Sequence, residues 1–164
     1  MKTVRIEWQP RLDRFEAQGG HPGHVLAINA PHVGPATGFS ASELLLAGAG
    51  ACSAWDVIEI LRKQRQRVTG VEVSVEGDQA EAPPWAYEYV RLHFTVTGHG
   101  LDASRVRKAV ELSERRYCAV IATIRGVAEV SCLVDVHEAD AAGPPVADDG
   151  PTATDEAALS DATA

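Results

Sequence analysis

Aromatic and sulfur-containing residues are scarce in this 164-residue chain: Phe, Tyr and Trp occur three times each, Cys three times and Met once. Three cysteines, an odd number with no Cys-x-x-Cys spacing, do not make a structural disulfide framework, so any disulfide is expected to be transient. Long hydrophobic runs are also missing. The longest apolar stretch, residues 44–54, is rich in Gly and Ala and falls well short of the ~20 residues of a membrane span. Residues 1–8 alternate polar and apolar side chains where a secretory leader needs a continuous apolar segment, and a cytoplasmic protein is expected. Positive charge is not in excess either. The 23 acidic side chains against 15 basic ones leave no basic face for nucleic acid.

The acidic excess is local. Asp140, Asp148, Asp149, Asp155, Glu156 and Asp161 fall in residues 139–164, a stretch of Ala, Asp, Gly, Pro and Thr without Lys or Arg, so residues 1–138 hold 17 acidic and 15 basic side chains. With Val146 and Leu159 as its only larger apolar residues, that stretch cannot offset the entropy of ordering it. The sequence therefore divides into one domain, 1–138, and a disordered acidic tail, 139–164. A domain of this length buries a core without staples.

Within the domain, Val4, Ile6 and Trp8 alternate with Arg5 and Glu7 as in a half-buried strand, and Phe15 to Gln18 and Val25 to Ile28 read as further short strands. Pro31 to Gly38 reads as a loop. Ser40-Ala41-Ser42-Glu43 has the form of a capping box, and the proline-free segment after it reads as a long helix over 41–66. Its Ala47-Gly48-Ala49-Gly50-Ala51 run costs ~1 kcal/mol per glycine in helix propensity, which implies close approach of another backbone. Val71, Val73 and Val75, and then Val90, Leu92, Phe94 and Val96, alternate with polar residues as two strands. Asp102 caps a second helix over 102–117, residues 118–124 read as a further helical segment, Gly126 as its stop, and 127–136 as a final strand. The class is α+β.

Two cysteines lie in helical contexts: Cys52 in Cys-Ser-Ala-Trp-Asp-Val, and Cys118 at the end of Leu-Ser-Glu-Arg-Arg-Tyr-Cys. Composition alone reads both as small buried hydrophobes. Together, however, these two segments resemble the OsmC/Ohr family of thiol peroxidases over nearly all of residues 1–138. The resemblance implies antiparallel sheets packed on a long central helix and a second, cysteine-bearing helix, with two chains intertwined as a homodimer. It also implies reduction of organic hydroperoxides to alcohols, with Cys52 as the peroxidatic and Cys118 as the resolving cysteine. A thiolate at Cys52 attacks the hydroperoxide, Cys118 condenses with the resulting sulfenic acid, and a dithiol reductant, a lipoyl protein or a small thiol, reopens the disulfide. No cofactor and no metal is implied.

In the family an N-terminal arginine favours the thiolate and is held by a glutamate ten residues before the first cysteine. Here Arg14, or as a second choice Arg11, fills the arginine's place, whereas Ser42 stands ten residues before Cys52 and Glu43 nine. On a helix that offset turns Glu43 by about 100°, and Glu43 also reads as a helix cap. Asp56, four residues after Cys52 and on the same helical face, opposes ionisation if close and unpaired. These departures resemble the YhfA-like branch of the family and set out an alternative: a redox-sensing or small-ligand-binding protein that keeps the fold and thiols without turnover. Cys132, on the final strand, reads as packing. Trp55 and Tyr117 read as core ahead of pocket walls, and His21, His24 and His32 as solvated loop histidines, because no acidic or cysteine ligand is spaced as zinc requires.

Overall fold

The computed structural model describes residues 2–20, 23–29 and 38–140. The expected tail beyond 140, His21, His32 and the 31–37 loop lie outside the described residues. Three short strands, β1 (Arg5–Gln9), β2 (Arg14–Gln18) and β3 (Val25–Asn29), form an antiparallel sheet in that order. A 23-residue helix follows, α1 (Ala41–Lys63), and then two 13-residue strands, β4 (Arg67–Gln79) and β5 (Tyr87–His99). The chain continues through α2 (Ala103–Leu112), a π-helical turn (Ser113–Tyr117), α3 (Ala119–Ile124) and β6 (Glu129–Glu138).

The α+β class stands, and the second sheet differs in one detail from an all-antiparallel arrangement. Its order is β4-β5-β6, with β4 antiparallel to β5 and β6 parallel to it, Leu92 lying opposite Cys132 and Phe94 opposite Val134. Parallel neighbours need a crossover, which α2, the π turn and α3 provide. The alternation seen in β5 puts Val90, Leu92, Phe94 and Val96 on the inner face, where they are buried against Val57 and Leu61 of α1, Val106 and Val110 of α2, and Ile121 of α3. Each such side chain contributes about 1.5–3 kcal/mol through burial.

α1 reaches a mean hydropathy of 1.6 and by length and composition alone could cross a membrane. Here it lays Ala49, Gly50, Ser53, Val57 and Leu61 inward as the core helix of the sheet. A Cβ on Gly50 would sit 2.9 Å from Val75 Cγ2, so what Gly50 admits is a β4 side chain where the sequence suggests a backbone, and Gly48 has nothing within 4 Å in this chain. The helix ends at Lys63, three residues before the end the sequence suggests. Arg65 adopts φ 56°, its N–H donates to Arg62 O at 2.8 Å, and the Gln66 N–H donates to Leu61 O at 3.0 Å. This is a Schellman closure with arginine where glycine is usual, so no compositional stop signal marks it.

The first sheet touches α1's entry through the Ile28–Phe39 bridge, where Asn29 N–H donates to Phe39 O at 3.0 Å. Pairing of Ile6 with Ala17 and of Trp8 with Phe15 aligns apolar side chains on one face. Ile6, Trp8, Phe15 and Leu26 of that face remain exposed in the single chain.

Candidate functional site

The site begins with how α1 is anchored. Ser40 Oγ accepts the Glu43 N–H at 3.2 Å, and Glu43 Oε2 accepts the Ser40 N–H at 2.7 Å and the Ser40 hydroxyl at 2.8 Å. The Ser40 backbone N–H holds the Glu43 carboxyl below its ordinary value. Nine residues on, Cys52 lies half-buried, with Asp56 on the same face one turn later.

Cys118 arrives from the other side of the core. Its N–H donates to Ser113 O at 3.0 Å, an i to i+5 bond that closes the π turn and takes Cys118 out of the preceding helix. Cys118 then caps α3, its Sγ accepting the Ile121 N–H at 3.4 Å, and is buried. The sulfurs of Cys52 and Cys118 and a carboxylate oxygen of Asp56 all lie within 4.8 Å of one another. Both thiols are free. Oxidation of one sulfur therefore places an acceptor within a side-chain rotation of the other, and the two sulfurs with the carboxylate also form a set able to hold a cation.

Ser113, fully buried, donates its hydroxyl to Asp56 Oδ2 at 3.0 Å and lies 3.4 Å from Ser53 O. The sequence carried Ser113 inside the Leu-Ser-Glu motif without giving it a role, and its signal was a serine on the inner side of an otherwise apolar helical stripe. Burial pushes the Cys52 thiol up from its ordinary value, and the Cys118 hydrogen bond, the Cys118 charge and the Asp56 charge add to this, while the Val120 amide works the other way. Asp56 thus does oppose ionisation of Cys52.

Arg14 is not among the groups acting on Cys52 in this chain. It lies in β2 and pairs with Glu16 at 2.7 Å, with its Nε lacking a hydrogen-bond partner among the described residues. Arg11 sits exposed in the β1–β2 turn. Glu43 is engaged with Ser40, as described. Cys132 faces inward opposite Leu92 and its thiol is pushed up to about 12, first by burial and then by the Glu114 charge, so it has little thiolate at neutral pH. Trp55 and Tyr117 are not core as expected: they are 62% and 52% exposed. The reason is position, since Trp55 projects from the face of α1 opposite the sheet. Tyr117 lies in the π turn and, with Asp56, Ile60, Lys63 and Leu112, borders a cavity of about 350 Å³ beside the site.

Residues 34–132 match the family described as OsmC-like protein. The chain is 38% identical to Protein YhfA of Escherichia coli (strain K12) over 118 residues, 71% of this chain and 84% of that protein. A hypothetical protein from Aquifex aeolicus VF5 superposes with a TM-score of 0.75 at 24% identity, covering 85% of this chain and 98% of that one. An organic hydroperoxide resistance protein from Elizabethkingia anophelis does so with a TM-score of 0.66 at 13% identity, covering 83% and 96%. With its thiol pair set between α1 and α3 and the match covering both cysteines, this chain belongs to the OsmC-like family.

Proposed function

We propose that the protein is a cysteine-based peroxidase that reduces organic hydroperoxides to alcohols. The observation that carries this reading is the approach of the Cys52 and Cys118 sulfurs to within 4.8 Å. The Cys52 thiolate attacks the distal oxygen of ROOH, the O–O bond breaks, and ROH leaves after taking up a proton. Cys118 then displaces water from the Cys52 sulfenic acid to give a disulfide, which a dithiol, a lipoyl protein or a small thiol, reduces. Organic hydroperoxide resistance proteins of the same fold support a peroxide-related role.

A homodimer is part of this reading. The exposed apolar face of the first sheet, with Ile6, Trp8, Phe15 and Leu26, calls for a covering surface, and a second copy of the chain provides one. Arg14, or Arg11, of a second copy then supplies a cation to Cys52, on which no basic side chain acts among the described residues, with Glu43 as the carboxylate near the start of α1 that receives it.

The test is consumption of cumene hydroperoxide with dithiothreitol or dihydrolipoamide as reductant. Turnover that disappears in folded Cys52→Ser supports the reading; folded wild-type protein without Cys52-dependent turnover ends it. The charge of Asp56 beside Cys52 favours a second reading, a redox sensor oxidised once by peroxide and not recycled. A Cys52–Cys118 bridge that forms with one equivalent of peroxide and resists small thiols selects it.

A further inference from the structure

The side-chain trio between α1 and α3 has the composition and spacing of a cation site as well as of a redox pair. Cys52 and Asp56 stand at i and i+4 on one face of α1, a spacing at which two side chains of a helix can ligate one ion. Cys118 completes the group from α3, and all three ligand atoms lie within 4.8 Å of one another. In a tetrahedral zinc site, sulfur-to-sulfur separations are about 3.8 Å and sulfur-to-oxygen separations about 3.6 Å. Closure by roughly 1 Å, within the reach of side-chain rotation, therefore brings the group onto one ion.

The surroundings fit the same purpose. Among the described residues no basic side chain pairs with Asp56, so its charge beside two thiols is met by the Ser113 hydroxyl at 3.0 Å. That hydroxyl fixes which carboxylate oxygen is left over, and the Ile121 N–H at 3.4 Å steadies the Cys118 sulfur. Such outer contacts orient metal ligands and raise affinity. Of the three ligands, Asp56 borders the cavity that Lys63 and Tyr117 also line, so the group meets that cavity on its carboxylate side. Two sulfurs with one oxygen select borderline-soft cations over magnesium or calcium.

We infer that the reduced Cys52–Cys118 pair, with Asp56, binds one zinc-class divalent cation per chain. Each thiol gives its proton to solvent on ligation. Occupancy shields both sulfurs, so the bound and the peroxide-reactive forms exclude each other. This consequence, unlike binding itself, rests on the proposed function. Oxidation follows release of the ion: once the cation has left unchanged, the hydroperoxide takes two electrons from the sulfur pair and two protons from solvent, leaving as ROH and water, and the disulfide that forms can no longer bind the cation.

The test titrates the reduced full-length chain with Zn²⁺ against a chromophoric chelator, and with Co²⁺ as a spectroscopic probe of thiolate ligation, with no peroxide present. The expected result is one ion per chain with thiolate-to-Co²⁺ absorption. Cys52→Ser loses this binding, Asp56→Asn weakens it at least ~10-fold, and Cys132→Ser leaves it unchanged. Wild-type protein bridged by a chemical disulfide oxidant retains no ion, which gives the same comparison without a substitution. Absence of stoichiometric binding to reduced wild type, or binding indifferent to Cys52→Ser or Asp56→Asn, overturns the inference. Because turnover plays no part in this assay, a failure of the peroxidase reading leaves its outcome intact.

Discussion

The Ser113 hydroxyl and the Asp56 carboxylate meet at 3.0 Å between the π turn and α1, and a carboxylate oxygen of Asp56 lies within 4.8 Å of the Cys52 sulfur. Ser113 is fully buried and Asp56 half-buried, so Ser113→Ala removes from the carboxylate a donor that water on its cavity side replaces only in part. Urea denaturation is expected to show a loss of about 1–3 kcal/mol. Asp56→Asn keeps a partner for Ser113 and removes the negative charge that raises the Cys52 thiol. The pH midpoint of Cys52 alkylation, followed in the presence of a chelator, falls in that variant. A midpoint that stays or rises contradicts the electrostatic account.

Arg65 closes α1 in a left-handed conformation, at φ 56°, that an L side chain enters at a cost. Arg65→Gly relieves it and is expected to raise the urea stability by about 0.5–1 kcal/mol. A destabilisation would show that the Arg65 side chain does more than occupy the turn.

Cys132 links stability to alkaline pH. Its thiol rises from 9.0 to about 12 on folding because burial disfavours the thiolate. The sign follows: the unfolded chain releases this proton first, so the contribution is whole below pH 9.0 and is lost as pH rises toward about 12. The stability of Cys132→Ala is expected to decline less steeply across that window than that of wild type. Parallel profiles would place the Cys132 thiol in contact with solvent.

Trp8 and Phe15 pair on the uncovered face of the first sheet. Trp8→Asp puts a charge into that face. Sedimentation at micromolar concentration is expected to give two chains per particle for wild type and one for the variant. Wild type sedimenting as one chain removes the dimer and the arginine it brings.

Much of this was legible in the residue pattern. Period-2 alternation over Val90 to Val96 located β5 and its buried face, and Ser40 with Glu43 marked the start of α1. The two cysteine segments identified the family. What the pattern could not carry was geometry set by tertiary packing or by unusual backbone. The sequence takes the second helix unbroken to Tyr117, whereas the i to i+5 bond from Cys118 to Ser113 depends on how the chain re-enters the core. Arg65 gives no glycine to announce the end of α1, and the parallel pairing of β6 follows from the crossover, to which alternation is blind. Asp56 was readable as a neighbour of Cys52 from its i+4 spacing, but Ser113, its hydrogen-bond donor, comes from a distant segment. Trp55 was misread as core because its apolar character says nothing of which side of α1 it occupies.

The central claim is that Cys52 reacts and Cys118 resolves it. Peptide mapping by mass spectrometry after one equivalent of cumene hydroperoxide tests this most directly, alongside Cys118→Ser treated in the presence of a sulfenic-acid trap. The account predicts a Cys52–Cys118 disulfide in wild type and a trapped sulfenic acid on Cys52 in the variant, with Cys132 a free thiol in both. Oxidation that falls on Cys132, or spares Cys52 in folded protein, contradicts it.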